Sequence, residues 1–126
     1  MGKAARELAD IAPYIVLLDP RKRFTRRLFR YDPDLPEQMT SMHLWHREPG
    51  IYIRTRLSMD ALWRHFRRFI RVGEDHGAWF VLRFYDPNVV LDMASHLSQA
   101  NKQRFFIPDI EVIALRKDGS GYKIRG

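Results

Sequence analysis

A chain of 126 residues, 45% hydrophobic and carrying eight Phe, five Tyr and three Trp, is long enough for one domain with its own core. It has no cysteine, which excludes disulfide frameworks and thiolate metal sites and suits a reducing cytosol. Twenty-two Lys and Arg against fifteen Asp and Glu give a net charge of +7, with arginine well ahead of lysine. That balance suits bidentate contact with carboxylates or phosphates, on an acidic protein, a nucleic acid or an anionic membrane.

The opening "MGKAARELAD" lacks an apolar run, so no signal peptide is expected. The longest apolar runs, "YIVLL" and "AWFVL", fall far short of the roughly 20 residues that span a bilayer. The expectation is a single domain over 1–126, soluble and cytoplasmic, with no membrane insertion.

In chain order, Tyr14 to Leu18 follows Pro13 as a continuous apolar run and predicts a buried strand that stops at Asp19-Pro20. Phe24, Leu28 and Tyr31 fall at helical spacing, which predicts a short amphipathic helix over about 23–31, closed by Asp32-Pro33. Ile51 to Leu57 alternates, with Ile51, Ile53, Thr55 and Leu57 on one face and Tyr52, Arg54 and Arg56 on the other, the pattern of a half-exposed strand. Ser58 then caps a helix running to about Val72. Its predicted buried stripe is Met59, Leu62, Trp63, Phe66, Phe69 and Ile70, with Arg64, His65, Arg67, Arg68 and Arg71 off it and Gly73 as the stop.

Ala78 to Tyr85 predicts a central strand, after which Asp86 caps and Pro87 opens a helix whose core positions are Val90, Met93, Ala94 and Leu97. The stretch "QRFFIPD" reads as an irregular connector, and Glu111–Arg116 and Tyr122–Arg125 flank "KDGSG" as a hairpin. Strand, helix, strand, helix, strand predicts an α/β fold: a small mixed sheet with βαβ crossovers and a C-terminal β-hairpin.

Local catalytic signals are weak. His43 and His46 with Glu48 resemble a metal pair, but Pro49-Gly50 implies loop geometry and no further ligand falls at a characteristic spacing, so no metal is expected. There is no glycine-rich phosphate loop, and no serine lies in a nucleophile elbow. Asp60, Asp86 and Asp92 have ordinary helical explanations. The basic features are stronger. Arg23, Arg26, Arg27 and Arg30 interleave with Phe24, Leu28 and Phe29, and Arg64, Arg67, Arg68 and Arg71 add a second cationic group. Each is a solvated helix face by the plainest reading. Together they are the candidate partner-binding residues, for an acidic protein or, alternatively, as a basic nucleic-acid-binding module. An enzyme with a dispersed site has only the α/β pattern in its favour.

"APYIVLLD" at 12–19, "RTRLSMDALWRHFRRF" at 54–69, "WFVLRFYDPNVV" at 79–90 and "FFIP" at 105–108 resemble, in that order, the DUF4123-like domain of type VI secretion effector adaptors, also called effector chaperones. The resemblance implies a non-catalytic bacterial adaptor, without cofactor, that binds a secreted effector and assists its loading onto a VgrG-type spike protein. Pro13, Asp19, Arg83, Tyr85, Asp86 and Pro87 match the family's structural motif. Ile107 stands where a glycine is common in the family. Only eleven residues precede the first motif, where members carry another strand and helix, so a shortened member or a fragment is expected. The arginine within "LRFYDP" is expected to be buried and paired with Asp86 or Asp19, because an unpaired buried charge is costly.

Overall fold

The computed structural model describes residues 13–34, 44–73 and 79–125. Its helices are α1 (Arg23–Leu28), α2 (Met59–Arg67), α3 (Pro87–His96) and α4 (Gln99–Phe105), with a 3-10 turn at Trp45–Arg47. Its strands are β1 (Tyr52–Thr55), β2 (Arg71–Gly73), β3 (Trp79–Val81), β4 (Ile110–Leu115) and β5 (Gly121–Arg125). Strands β1, β4 and β5 form one sheet with β4 in the middle, and β2 and β3 form a separate hairpin.

Local chemistry starts the helices. The Ser58 and Ser98 hydroxyls accept from the backbone N–H of Ala61 at 3.1 Å and of Asn101 at 3.3 Å. The Asp86 carboxylate accepts from Asn88 N–H at 2.9 Å, and Pro87, buried, opens α3 where its missing N–H costs nothing. The hairpin β4–β5 turns through Gly119 at φ +92°, a conformation that favours glycine. The Tyr31 ring lies over that turn and donates its hydroxyl to Asp118 O at 3.0 Å.

The core gathers the inner face of β4 (Ile110, Val112, Ala114) with Leu62 and Phe66 of α2, Val90 and Met93 of α3, and Phe84, Phe105 and Phe106. The aromatic centre is dense: Phe105 stands 5.0 Å from Phe69, 5.3 Å from Phe84, 5.6 Å from Phe66 and 4.8 Å from Phe106, mostly edge to face. The alternation of 51–57 is as expected, with Ile51, Ile53 and Leu57 against the core and Arg54 and Arg56 exposed. The α/β class and the closing hairpin are both present.

Four local expectations change. All described pairings are antiparallel, β1 with β4, β4 with β5 and β2 with β3. The reason is that α2 ends early. Phe69 N–H turns back to Phe66 O, and residues 71–73 then pair with 79–81 in a local hairpin, where the alternative is a crossover helix. The predicted strand 78–85 stops at Val81. Leu82 N–H still bonds Ile70 O at 2.8 Å, and from Arg83 the chain turns into α3 through an Asp86 N–H to Arg83 O bond. The stretch "QRFFIPD" is not all connector: Ser98 caps α4, which carries Phe105 into the core.

The fourth change is the largest. Residues 13–18, expected as a buried strand, belong to no helix, strand or turn, and Tyr14, Val16 and Leu17 are exposed, Tyr14 by 90% and Leu17 by 82%. Among the described residues no strand lies alongside to take their backbone groups, and of the segment's apolar side chains Ile15 packs against the core.

Candidate functional site

Helix α2 buries one stripe and exposes another. Leu62, His65, Phe66 and Phe69 recur at i, i+3, i+4 and i+7 and face inward. His65, expected on the solvent side, is buried. Its Nε2 lies 2.8 Å from Phe105 O, and its ring packs 5.0 Å from Phe66 and 5.3 Å from Phe69. Met59 and Trp63, expected in the core, are instead 44% and 48% exposed. Trp63 lies about 100° around the helix from Leu62, at the margin of the stripe that Leu62 and Phe69 centre, whereas Met59 falls within the stripe by angle and is exposed as the first residue of the helix.

Beside those two side chains lies an open groove lined by Pro13, Tyr14, Ile15, Met59, Asp60 and Trp63. Arg67 stands over the Trp63 ring, with its guanidinium carbon 4.9 Å from the ring centre. Arg64 pairs with Asp60 at 3.0 Å, an exposed i, i+4 contact that leaves both charges solvated and available. Arg68 is exposed at the end of α2. Arg71 lies in β2, opposite Val81.

The other cationic group belongs to α1. Arg23, Arg26, Arg27 and Arg30 are exposed, while Thr25 and Leu28 bury the opposite face. Arg26 donates to Arg21 O at 3.2 Å. Phe24 is half-exposed on α1, and Phe29, just beyond it, packs 4.8 Å from Tyr52. Among the described residues no hydrogen bond, ion pair or ring contact joins the two arginine groups.

The motif residues are structural in part. Asp19 accepts from Arg21, through the guanidinium at 3.2 Å and the backbone N–H at 2.9 Å, and these bonds, the side chain's first, hold its carboxyl below the ordinary range. Asp86 caps α3, Pro87 is buried, and Tyr85 packs against the core. Pro13 lines the groove. Arg83 departs from expectation. It is exposed and makes no ion pair among the described residues, because Asp19 is committed to Arg21 and Asp86 to the α3 backbone. The strand ends at Val81, so position 83 sits in the turn into α3, outside any buried sheet.

A further charged group, unforeseen in the sequence, crosses the sheet. Arg54, Glu111 and Arg125 stand in register on β1, β4 and β5, and Arg125 donates to Glu111. That bond, and then the nearby charges of Arg125, Lys123 and Arg54, hold the Glu111 carboxyl below its ordinary value against the opposing effect of desolvation. The triad was invisible locally because register is a property of pairing.

His43 lies outside the described residues. His46 sits in the 3-10 turn with its ring 5.9 Å from Tyr31. Among the described residues no three His, Asp or Glu side chains stand close enough together to hold a metal ion. No helix among them is long and apolar enough to cross a membrane.

The fold is thus a small mixed α/β domain whose surface carries exposed aromatic side chains beside arginines. Over residues 1–104 the chain matches the family described as Domain of unknown function (DUF4123), and it belongs to that family. No curated protein and no solved structure matches it. The match stops short of β4 and β5, which supply two strands of the main sheet.

Proposed function

We propose that this protein is a non-catalytic adaptor that binds a secreted effector in the bacterial cytoplasm and assists its loading onto a VgrG-type spike. The observation that carries the reading is the outward face of α2, where Met59, Asp60 and Trp63 border an open groove, Arg67 stands over the Trp63 ring and Arg64 pairs with Asp60. Tryptophan and arginine are the residue types that dominate protein–protein binding energy, because a large rigid contact area combines with directional charge. Exposing them side by side on an otherwise well-packed helix suits recognition of an acidic, partly apolar protein segment. The type VI assignment rests on the resemblance of the "APYIVLLD", "RTRLSMDALWRHFRRF", "WFVLRFYDPNVV" and "FFIP" segments to effector adaptors, and family membership supports it.

The test is co-purification from the native bacterium. The tagged chain is expected to recover an effector and a spike protein, and Trp63→Ala with Arg67→Ala to lower recovery at least tenfold. Recovery of neither protein by the unsubstituted chain overturns the adaptor reading. Salt-sensitive binding of DNA or RNA with no protein partner would put the nucleic-acid alternative in its place.

A further inference from the structure

The segment Pro13–Leu18 presents a contradiction between its sequence and its surroundings. "PYIVLL" has the β-branched and aromatic composition of a strand, yet among the described residues its backbone makes no hydrogen bond. Tyr14, Val16 and Leu17 are exposed by 90%, 58% and 82%. Backbone N–H and C=O groups pair wherever they can, and unpaired groups flanked by exposed apolar side chains make a template for another strand. Ile15 is held against the core and Asp19 is fixed in its turn by Arg21, so both ends of the segment are anchored while its middle stays open.

We propose that Tyr14–Leu18 is a docking strand: an extended segment of the partner protein pairs with its backbone, places an apolar side chain in the groove beside Trp63 and directs acidic residues at the flanking arginines. The mode is strand addition, in which backbone bonds supply affinity and alternate side chains supply selection. Charge decides the occupant. Arg21, Arg23, Arg26 and Arg27 follow the segment directly and are exposed, Arg67 stands over the Trp63 ring that lines the groove, and Arg64 pairs with Asp60 beside it, so the incoming strand is acidic at its ends and apolar between. A second copy of this chain would bring the same cationic flanks along with it. The proposal rests on the adaptor reading for the identity of the partner, while the pairing itself does not depend on it.

The probe is a nine-residue peptide of alternating valine and threonine with aspartate at both ends. Its controls are a lysine-ended version and a version N-methylated at alternate residues. Amide hydrogen exchange on the full chain is expected to show fast exchange at Tyr14–Leu18 in the free protein and at least tenfold slowing with the aspartate-ended peptide. The lysine-ended and N-methylated peptides are expected to bind at least tenfold more weakly.

Val16→Pro and Leu17→Pro each remove an N–H that makes no hydrogen bond among the described residues, so both variants are expected to fold with unchanged circular dichroism. Adjacent strand amides point to opposite edges, so one of the two prolines is expected to abolish peptide binding while the other spares it. Val16→Ala and Leu17→Ala lose side-chain contact alone and are expected to bind more tightly than the proline variant that fails. Equal loss in the proline and alanine variants, slow exchange in the free chain, or concentration-dependent dimerisation that protects the same amides overturns the proposal. Effector recovery undiminished in both proline variants overturns the docking strand and leaves the adaptor reading standing. Peptide protection without effector recovery does the reverse.

Discussion

Replacing Phe105 by alanine is the most direct measure of what holds this fold together. The side chain is 1% exposed, and its ring meets Phe66, Phe69, Phe84 and Phe106 at centroid distances of 4.8–5.6 Å. Truncating a fully buried phenylalanine costs about 3–5 kcal/mol through lost transfer energy and the residual cavity. Edge-to-face ring pairs add roughly 0.5–1.5 kcal/mol each, not additively, which places Phe105→Ala at the upper end, about 4–5 kcal/mol. Against a typical total stability of about 5–15 kcal/mol that is a large fraction, and the expected fall in Tm is on the order of 15 °C. Urea unfolding followed by far-UV circular dichroism measures it. Phe105→Leu is expected to recover about half of the loss, and Tyr14→Ala, at a 90% exposed position, to change stability by less than about 0.5 kcal/mol. A cost for Phe105→Ala below about 1.5 kcal/mol, with unchanged denaturant slope, would refute the placement of this ring at the centre of the core.

Other perturbations separate the surface from the scaffold. Arg83→Ala is expected to leave the melting temperature within about 2 °C, since exposed unpaired side chains contribute within about 0.5 kcal/mol; a large drop would return Arg83 to a buried pair. Gly119→Ala is expected to destabilise by about 1–3 kcal/mol, because it strains a φ of +92° and sets a Cβ 2.8 Å from the Tyr31 ring. Thermal melts of Gly119→Ala and Tyr31→Phe would read that contact. Ending the chain after residue 104 removes Phe105, Phe106, Ile110, Val112 and Ala114 and, with β4, the strand that pairs with β1 among the described residues, so the fragment is expected to show no cooperative unfolding by calorimetry. Asp19 and Glu111 both have depressed carboxyl values in the fold. The stability they contribute is therefore fully present above their ordinary values of 3.8 and 4.5 and is lost as pH falls through the lower folded values. Glu111→Gln is expected to flatten the acid limb of a pH–stability profile below about pH 4.5, and an unchanged limb would show that Arg125 does not hold the carboxylate.

The sequence by itself determined whatever depends on neighbours within a few residues. Ser58 and the Asp86-Pro87 pair mark helix starts because a cap bonds its own helix's first amides, and the alternation of 51–57 sorts Ile53 from Arg54 because a strand's side chains alternate whatever it pairs with. The hairpin around Gly119 is local in the same sense. Tertiary structure alone decided the rest. Which strand lies beside β1 is set by β4, more than fifty residues away, and only that pairing aligns Arg54, Glu111 and Arg125. His65 is buried because Phe105 offers a carbonyl and an aromatic wall, neither of which is adjacent in sequence. The same holds for the candidate site. Apolar composition makes "YIVLL" fit for a strand, but a strand is buried and paired only when another element supplies the bonds and the cover, and among the described residues none pairs with Tyr14–Leu18 or covers Tyr14, Val16 and Leu17.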